Sequence, residues 1–398
     1  MKAIIVGGGI GGLTAAAALH QRGWEIEVLE RAPEFTEVGA GLAVQPNGLR
    51  ALDTLGLGDL LRSKGPADPP AGIRRRNGHW LIRNDLDYLK RRFGQWATVH
   101  RADLIDLLRT AVPSAALRPG TEVHQVRPDG TVIHSGGAST ADLVVGADGV
   151  HSITRRSLWP HARGPRYVGY TTWRLLTPPQ PVEASTETWG AGERFGHMPM
   201  PDGRVYCYIM ANAPQGSQGG LDDLRERFAR WHDPIPALLH AAREDHVIQR
   251  DTYEMPDLST YVAGKVALLG DAAHAMTPNL GQGACQAIED AVTLAAAVDG
   301  GDVRAGLEAY DRARRPRTQM IVRLSRQVGS AAHWTSSALT AVRDAALPSC
   351  PDRSSSGRWL PRTTGRPSTA GSLRPFCSYD GKVASPCFSR ASSSPPSG

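Results

Sequence analysis

The chain has 398 residues, of which 41% are hydrophobic, 21% charged and 6% aromatic. These proportions are ordinary for a globular protein, and no run approaches the roughly 20 apolar residues of a membrane span; a collagen-like chain and a small disulfide scaffold are excluded as well. Of the formal net charge of +6, residues 350–398 carry +5 (seven basic against two acidic side chains), so the rest is nearly neutral at +1 and gives no footprint for nucleic acid.

In chain order, Lys2 to Val6 is an apolar run that reads as a buried strand. Five glycines between Gly7 and Gly12 follow, then an alanine-rich helical segment, Leu13 to Leu19. The glycines would break the apolar helix of a signal peptide, so that reading of the first twenty residues is set aside. Glu25 to Leu29 alternates and reads as a second strand, which makes a β–turn–α–β unit with parallel strands. Pro46 to Leu61 has helical periodicity, Ala97 to His100 reads as a strand, and Arg101 to Ala111 as a helix. Leu143 to Gly146 is a further apolar strand. From Tyr167 to Asn212 the pattern changes to short β-rich runs, among them Arg204 to Met210. Leu221 to Arg243 reads as helical, Val266 to Leu269 as a parallel strand, and Gly281 to Val298 and Leu307 to Ser330 as helices.

The arrangement predicts an α/β protein. A discontinuous nucleotide-binding domain (1–70, 97–160 and 260–345) encloses a β-rich second domain (71–96 and 161–259). Residues 346–398 are rich in Ser, Pro and Arg without periodicity. They read as a disordered tail or as a frame-shifted reading of the gene. Only Cys207 and Cys285 lie ahead of this tail, and no CxxC occurs, so a reducing, cytoplasmic setting is expected.

Three segments carry chemistry. Gly7, Gly9 and Gly12 form GxGxxG between a strand and a helix, the context that motif requires. Gly7 permits the tight turn, Gly9 lets the backbone approach a pyrophosphate, and Gly12 lets helix and strand pack closely. Glu30 ends the next strand, where a carboxylate accepts ribose hydroxyls and repels a 2′-phosphate, so the nucleotide held there is FAD or NAD. The second segment, Asp142 to Arg155, runs from a strand into Asp148-Gly149 and then a helix. The third, Val266 to Ala291, contains Gly270-Asp271, Pro278 and Gly281-Gln282-Gly283 ahead of a long helix. Asp271 can bond sugar-alcohol hydroxyls, and bare N–H groups at Gly281 to Gly283 can stabilise negative charge.

With these three fingerprints in order, the chain resembles the flavin-dependent aromatic hydroxylases of the para-hydroxybenzoate hydroxylase type, on the branch of salicylate, hydroxybenzoate and urate hydroxylases, over about residues 1–345. The resemblance implies a Rossmann-like FAD-binding domain of the GR2 type, an inserted β-rich substrate domain and C-terminal helices. It implies that Gly7, Gly9, Gly12, Glu30 and Arg31 hold the adenosine and pyrophosphate of FAD. Arg101 would contact the cofactor, Asp148 and Gly149 would serve FAD and NAD(P)H, and Asp271 would meet the ribityl chain. Gly41 and Leu42, at the end of a loop from Val38, would lie near the isoalloxazine ring, with Pro278, Gly281, Gln282 and Gly283 along its reactive edge. It further implies NADH or NADPH as reductant, O2 as co-substrate, a C4a-hydroperoxyflavin and a small aromatic substrate, in a monomer or homodimer without nucleic acid, membrane or metal.

Alternation over Arg204 to Met210 puts Tyr206, Tyr208 and Met210 on one face and Val205, Cys207 and Ile209 on the other. One face should roof the flavin. Arg194 and Tyr206 are the catalytic candidates there, with Pro278; Trp173, Arg174 and His197 are further candidates, and Arg194 would orient an acidic substrate. His274 reads as a core or turn histidine. No HExxH, P-loop or GxSxG offers a rival chemistry. An epoxidase of a polyene or other secondary metabolite, and a flavin-binding protein without turnover, are the alternatives.

Overall fold

The computed structural model describes residues 1–35, 41–65, 71–182 and 184–347. The loop from Val38 to Ala40 and the tail beyond Leu347 lie outside the described residues. Two sheets dominate.

The first has six strands in the order Val262–Ala263, Val266–Leu268, Leu143–Gly146, Lys2–Val6, Glu25–Leu29, Leu117–Arg118, and only the first of these runs antiparallel to its neighbour. Register is what positions the site. Val6 lies beside Gly146 and Leu29, and Gly146 beside Leu268, so four strands end side by side. Crevices outside the carboxyl ends of parallel strands are where such sheets bind ligands.

Both faces of the sheet are covered, as parallel strands require. Ala3 and Ile5 face the main core with the helix Ile10–His20. Ile4, Val6 and Val144 face Val123, Val126 and Val132 of a three-stranded antiparallel sheet. The small side chains of Ile10–His20 permit a close approach by the helix Gly283–Ala297: a Cβ on Gly11 would lie 3.2 Å from the Cβ of Ala287.

The second sheet has seven strands in the order Ile248–Glu254, Arg166–Thr177, Val205–Asn212, Glu193–Pro199, Ser185–Trp189, Ala71–Arg75, Trp80–Arg83. Val205, Cys207 and Ile209 pack on the helices Leu221–Phe228 and Ile235–Ala241. Tyr206 and Tyr208 project from the other face, with Leu176, Met198 and Met200. The helix Val303–Ala332 spans both sheets.

Two helical expectations need correction. Pro46 to Leu61 is broken into Pro46–Asp53 and Gly58–Arg62 by a turn at Gly56, where φ is +74°. Leu221 to Arg243 is likewise two helices, because Pro234 and Pro236 lack the N–H that a continuing helix would need and instead begin a new first turn.

Candidate active site

Each of the four aligned strand ends delivers one element of the site. After Val6, the Gly7 N–H donates to Leu29 O at 2.8 Å, and Gly7 adopts φ +103°, which glycine tolerates. A Cβ on Gly12 would lie 1.9 Å from Gly7 O, whereas one on Gly9 would meet nothing within 4 Å. Gly9 therefore faces open space at the start of Ile10–His20, a helix with no side-chain cap and no acid in its first turn. Its free N–H groups and dipole suit an anion.

After Leu29, Glu30 accepts from the Gly8 N–H at 2.6 Å and the Ala32 N–H at 2.9 Å, one bond per oxygen. Both oxygens keep acceptor capacity for a diol. Arg31 is exposed beside it.

After Gly146, Asp148 turns inward. It accepts from Ser152 Oγ at 2.6 Å and from the N–H and Oγ of Thr154 at 2.9 and 3.0 Å, which holds the first turn of the helix Ile153–Leu158 that Ser152 caps. Burial raises its pKa, and these bonds oppose the rise. Gly149 has φ +75°.

After Leu268, Gly270 takes φ +57° and leaves Asp271 exposed at the start of a single helical turn, Asp271–His274. Beneath it lies a buried ionic network. Asp290 accepts from the Gly270 N–H at 3.0 Å, bonds His274 Nε2 at 2.5 Å and accepts from Arg314 Nε at 2.7 Å. The bland expectation for His274 fits this buried position.

Arg155 is a structural tie within the site that sequence reasoning passed over. Its guanidinium donates to Ala273 O at 3.1 Å and to Pro256 O at 2.9 Å, tying the Asp-Gly helix to the Asp271 turn. Burial lowers its pKa to about 10. Its position three residues after Ser152, on the next turn of the same short helix, was the available signal.

The second sheet closes the other side. A Cβ on Gly41 would lie 2.5 Å from the ring of Tyr206, so the strand Gly41–Val44 runs directly against that ring. Burial lowers the Arg101 pKa, Asp271 opposes this, and Arg174 and Tyr206 act on it too, which places all four in one neighbourhood. Burial raises the phenol of Tyr206. Leu42 is half-buried on the same strand as Gly41.

Pro278 opens a short turn, Pro278–Leu280, and Gly281 follows at φ +61°. The Gln282 side chain donates to Gln45 Oε1 at 2.6 Å and accepts from Asn47 Nδ2 at 2.9 Å. The helix Gly283–Ala297 starts without a side-chain cap or an acid in its first turn, like Ile10–His20. Asn279 accepts from Arg194 Nη2 at 2.5 Å and donates to Tyr170 Oη at 3.2 Å, joining this turn to the second sheet. His197 sits on the opposite face with Phe195, where burial lowers its pKa to about 4, and Trp173 packs there too.

Two uncapped helix ends, a strand-end carboxylate and an approach left open by Gly9 fit a dinucleotide with an extended sugar-alcohol or second ribose. That arrangement defines a dinucleotide-binding α/β protein whose site is roofed by an aromatic sheet face. The chain belongs to the FAD binding domain family, whose model matches residues 1–325. It is 35% identical over 356 residues to the aurachin C monooxygenase/isomerase of Stigmatella aurantiaca, covering 86% of this chain and 93% of that protein. It is 35% identical over 384 residues to the 3-amino-4-hydroxybenzoate 2-monooxygenase of Streptomyces cremeus, covering 92% and 96%. Among solved structures, Klebsiella pneumoniae HpxO complexed with FAD and uric acid is similar at a TM-score of 0.81 and 32% identity, covering 88% of this chain and 93% of that one. The protein is a flavoprotein enzyme of the aromatic hydroxylase type, with FAD as cofactor. No described helix is long and apolar enough to cross a membrane.

Proposed function

We propose that the enzyme uses NADH or NADPH and O2 to place one oxygen atom on a small aromatic or heteroaromatic compound, the other leaving as water. FAD, when bound, supplies the two-electron chemistry and the activation of dioxygen. The observation that carries this reading is the alignment of four strand ends, the last of which puts Asp271 in one neighbourhood with Arg101 and with Arg174 and Tyr206 of the second sheet.

Gly7, Gly9 and Gly12 give the pyrophosphate close access to the N–H groups of Ile10–His20. Glu30 takes the adenosine ribose, with Arg31 at the mouth. Arg101 and Asp271 grip the middle of the cofactor from opposite charges. Asp148 and Gly149 act through shape: the aspartate holds its helix, and Gly149 leaves the backbone bare. Gly281, Gln282 and Gly283 present an uncapped helix end to charge that develops on the reduced ring. Gly41, Leu42 and Pro278 line the ring's flanks. Tyr206 and its neighbours exclude water from the reacting face. The setting is the cytoplasm, as a monomer or homodimer.

The test is a panel of phenols, phenolic acids and nitrogen heterocycles, read as stimulated NAD(P)H oxidation together with a product heavier by one oxygen atom. Reductant oxidation that is never accompanied by an oxygenated product would reject the reading. Asp271→Ala is expected to weaken FAD by about tenfold or more, one lost charged hydrogen-bond acceptor, while leaving the melting temperature of the apoprotein near that of the parent, because Asp271 is exposed. Unchanged flavin retention on gel filtration would remove Asp271 from the site.

A further inference from the structure

Arg194 is 1% exposed, although it lies on the sheet face turned toward Pro278. Its Nη1 donates to Glu187 Oε1 at 2.9 Å, and its Nη2 donates to Asn279 and lies 2.6 Å from Met210 Sδ. Its Nε–H is buried and finds no hydrogen-bond partner among the described residues. Glu187 accepts two further bonds, from Trp189 Nε1 at 2.6 Å and Tyr208 Oη at 3.1 Å. Gly196 makes the second possible: a Cβ there would lie 1.9 Å from Tyr208 Cζ, so the ring lies flat over the glycine to reach the carboxylate.

The cluster is therefore balanced before any ligand arrives. One arginine meets one glutamate, and Asn279 is neutral. Burial lowers the pKa of His333, which stacks on Tyr170 at 4.0 Å, to about 2, so it too is uncharged at neutral pH. An aromatic carboxylate docked on Arg194 would bring a second negative charge into a buried, already neutral site, and removing charge from water without a free counter-ion is costly. A neutral ligand adds no second charge beside this pair and avoids that cost.

We propose that Glu187 is a specificity-determining residue: by neutralising Arg194 it makes the site select an uncharged aromatic or heteroaromatic substrate over an aromatic carboxylate. This rests on the monooxygenase reading above, and it replaces the expectation that Arg194 orients an acidic substrate. Arg174 is a further cation on this face. It stands opposite Tyr208 in the strand register and near Arg101 and Tyr206, so a carboxylate held by Arg174 would bypass Glu187.

The test titrates matched carboxylate and carboxamide pairs, built on hydroxylated benzene, pyridine and quinoline rings, into the FAD-loaded enzyme and reads the flavin difference spectrum. The parent protein is expected to bind the carboxamide more tightly on at least one ring. Glu187→Gln keeps an acceptor oxygen for Trp189 and puts an amide N–H where Tyr208 Oη can turn to accept it, and it is expected to shift the dissociation-constant ratio toward the carboxylate by about tenfold or more. A lesser role in packing alone would weaken both members together and leave the ratio unmoved. A parent enzyme that prefers the carboxylate, carboxamides that bind on none of the three rings, or a flavin-loaded variant with an unshifted ratio would each overturn the proposal. The first two need no variant to fold. A parent protein that takes up no flavin would instead reject the monooxygenase reading itself.

Discussion

Gly12→Ala is expected to yield a protein that does not reach its flavin-binding fold, whereas Gly9→Ala folds and loses mainly the flavin. The two positions lie three residues apart in one motif, and the difference is steric. At Gly12 a Cβ would come within 1.9 Å of the backbone oxygen of Gly7 and 3.3 Å of Ile5 in the central strand. Neither is the far end of a flexible side chain, so the helix Ile10–His20 would have to lift from the sheet it covers. Such overpacking costs about 3 kcal/mol or more, a large share of the 5–15 kcal/mol that stabilises a typical domain. At Gly9 the added methyl group meets nothing in the protein, but it occupies the path by which the pyrophosphate reaches the helix N–H groups. The apoprotein of Gly9→Ala should therefore melt within a few degrees of the parent and hold FAD about tenfold or more weakly. Thermal unfolding followed by circular dichroism, alongside flavin fluorescence on titration, separates the two outcomes. A Gly12→Ala protein that melts normally and stays yellow would contradict the packing described here.

The second large effect is expected at Asp290. This carboxylate is fully buried and serves the Gly270 N–H, His274 and Arg314 together. Removing one partner of a buried ion pair strands the other, at a cost of about 3–5 kcal/mol, so Asp290→Ala should fold poorly and, where it folds, lose the turn that presents Asp271. Asp290→Asn is the informative variant, because it keeps an acceptor for Gly270 and deletes the charge. Burial opposes ionisation of Asp290, but His274 and Arg314 outweigh it and hold its pKa below the usual carboxylate range. A depressed pKa contributes stability above the unfolded value of about 3.9, and that contribution is lost as pH falls through and below it. The parent should thus lose stability steeply below about pH 4, and Asp290→Asn should be less stable at neutral pH with a flatter acid limb. Identical acid midpoints for the two proteins would show that the network does not govern this transition.

Much of the nucleotide-binding half was legible in the chain. Lys2–Val6 and Leu143–Gly146 are apolar runs closed by glycines, Glu25–Leu29 alternates, and all three stand where periodicity placed them. Local motifs were readable because turn, strand end and helix start are adjacent in sequence. Side-chain partnerships across long separations were not. Nothing in Thr186-Glu187-Thr188 marks Glu187 as the counter-ion of Arg194; the hairpin register that sets Trp189 beside Arg194 and Glu187 beside Gly196 decides it. Asn279 reaches Arg194 from 85 residues away. The Asp148 carboxylate accepts from Ser152 and Thr154, a partnership that the Asp-Gly motif by itself does not announce. A charged residue in a fingerprint does not reveal from sequence which way it points.

The helix Val303–Ala332 works as a splint. Tyr310 Oη donates to Leu268 O at 2.8 Å, Ser325 Oγ to Thr277 O at 2.6 Å, and Arg326 Nε to Glu254 of the second sheet at 2.8 Å. One rigid rod is thereby pinned to the end of a parallel strand, to the turn ahead of Pro278 and to the edge of the roof. A jaw-like hinging of the roof would have to break these fastenings in sequence. Roof and parallel sheet are thus joined into one frame by a helix that belongs to neither.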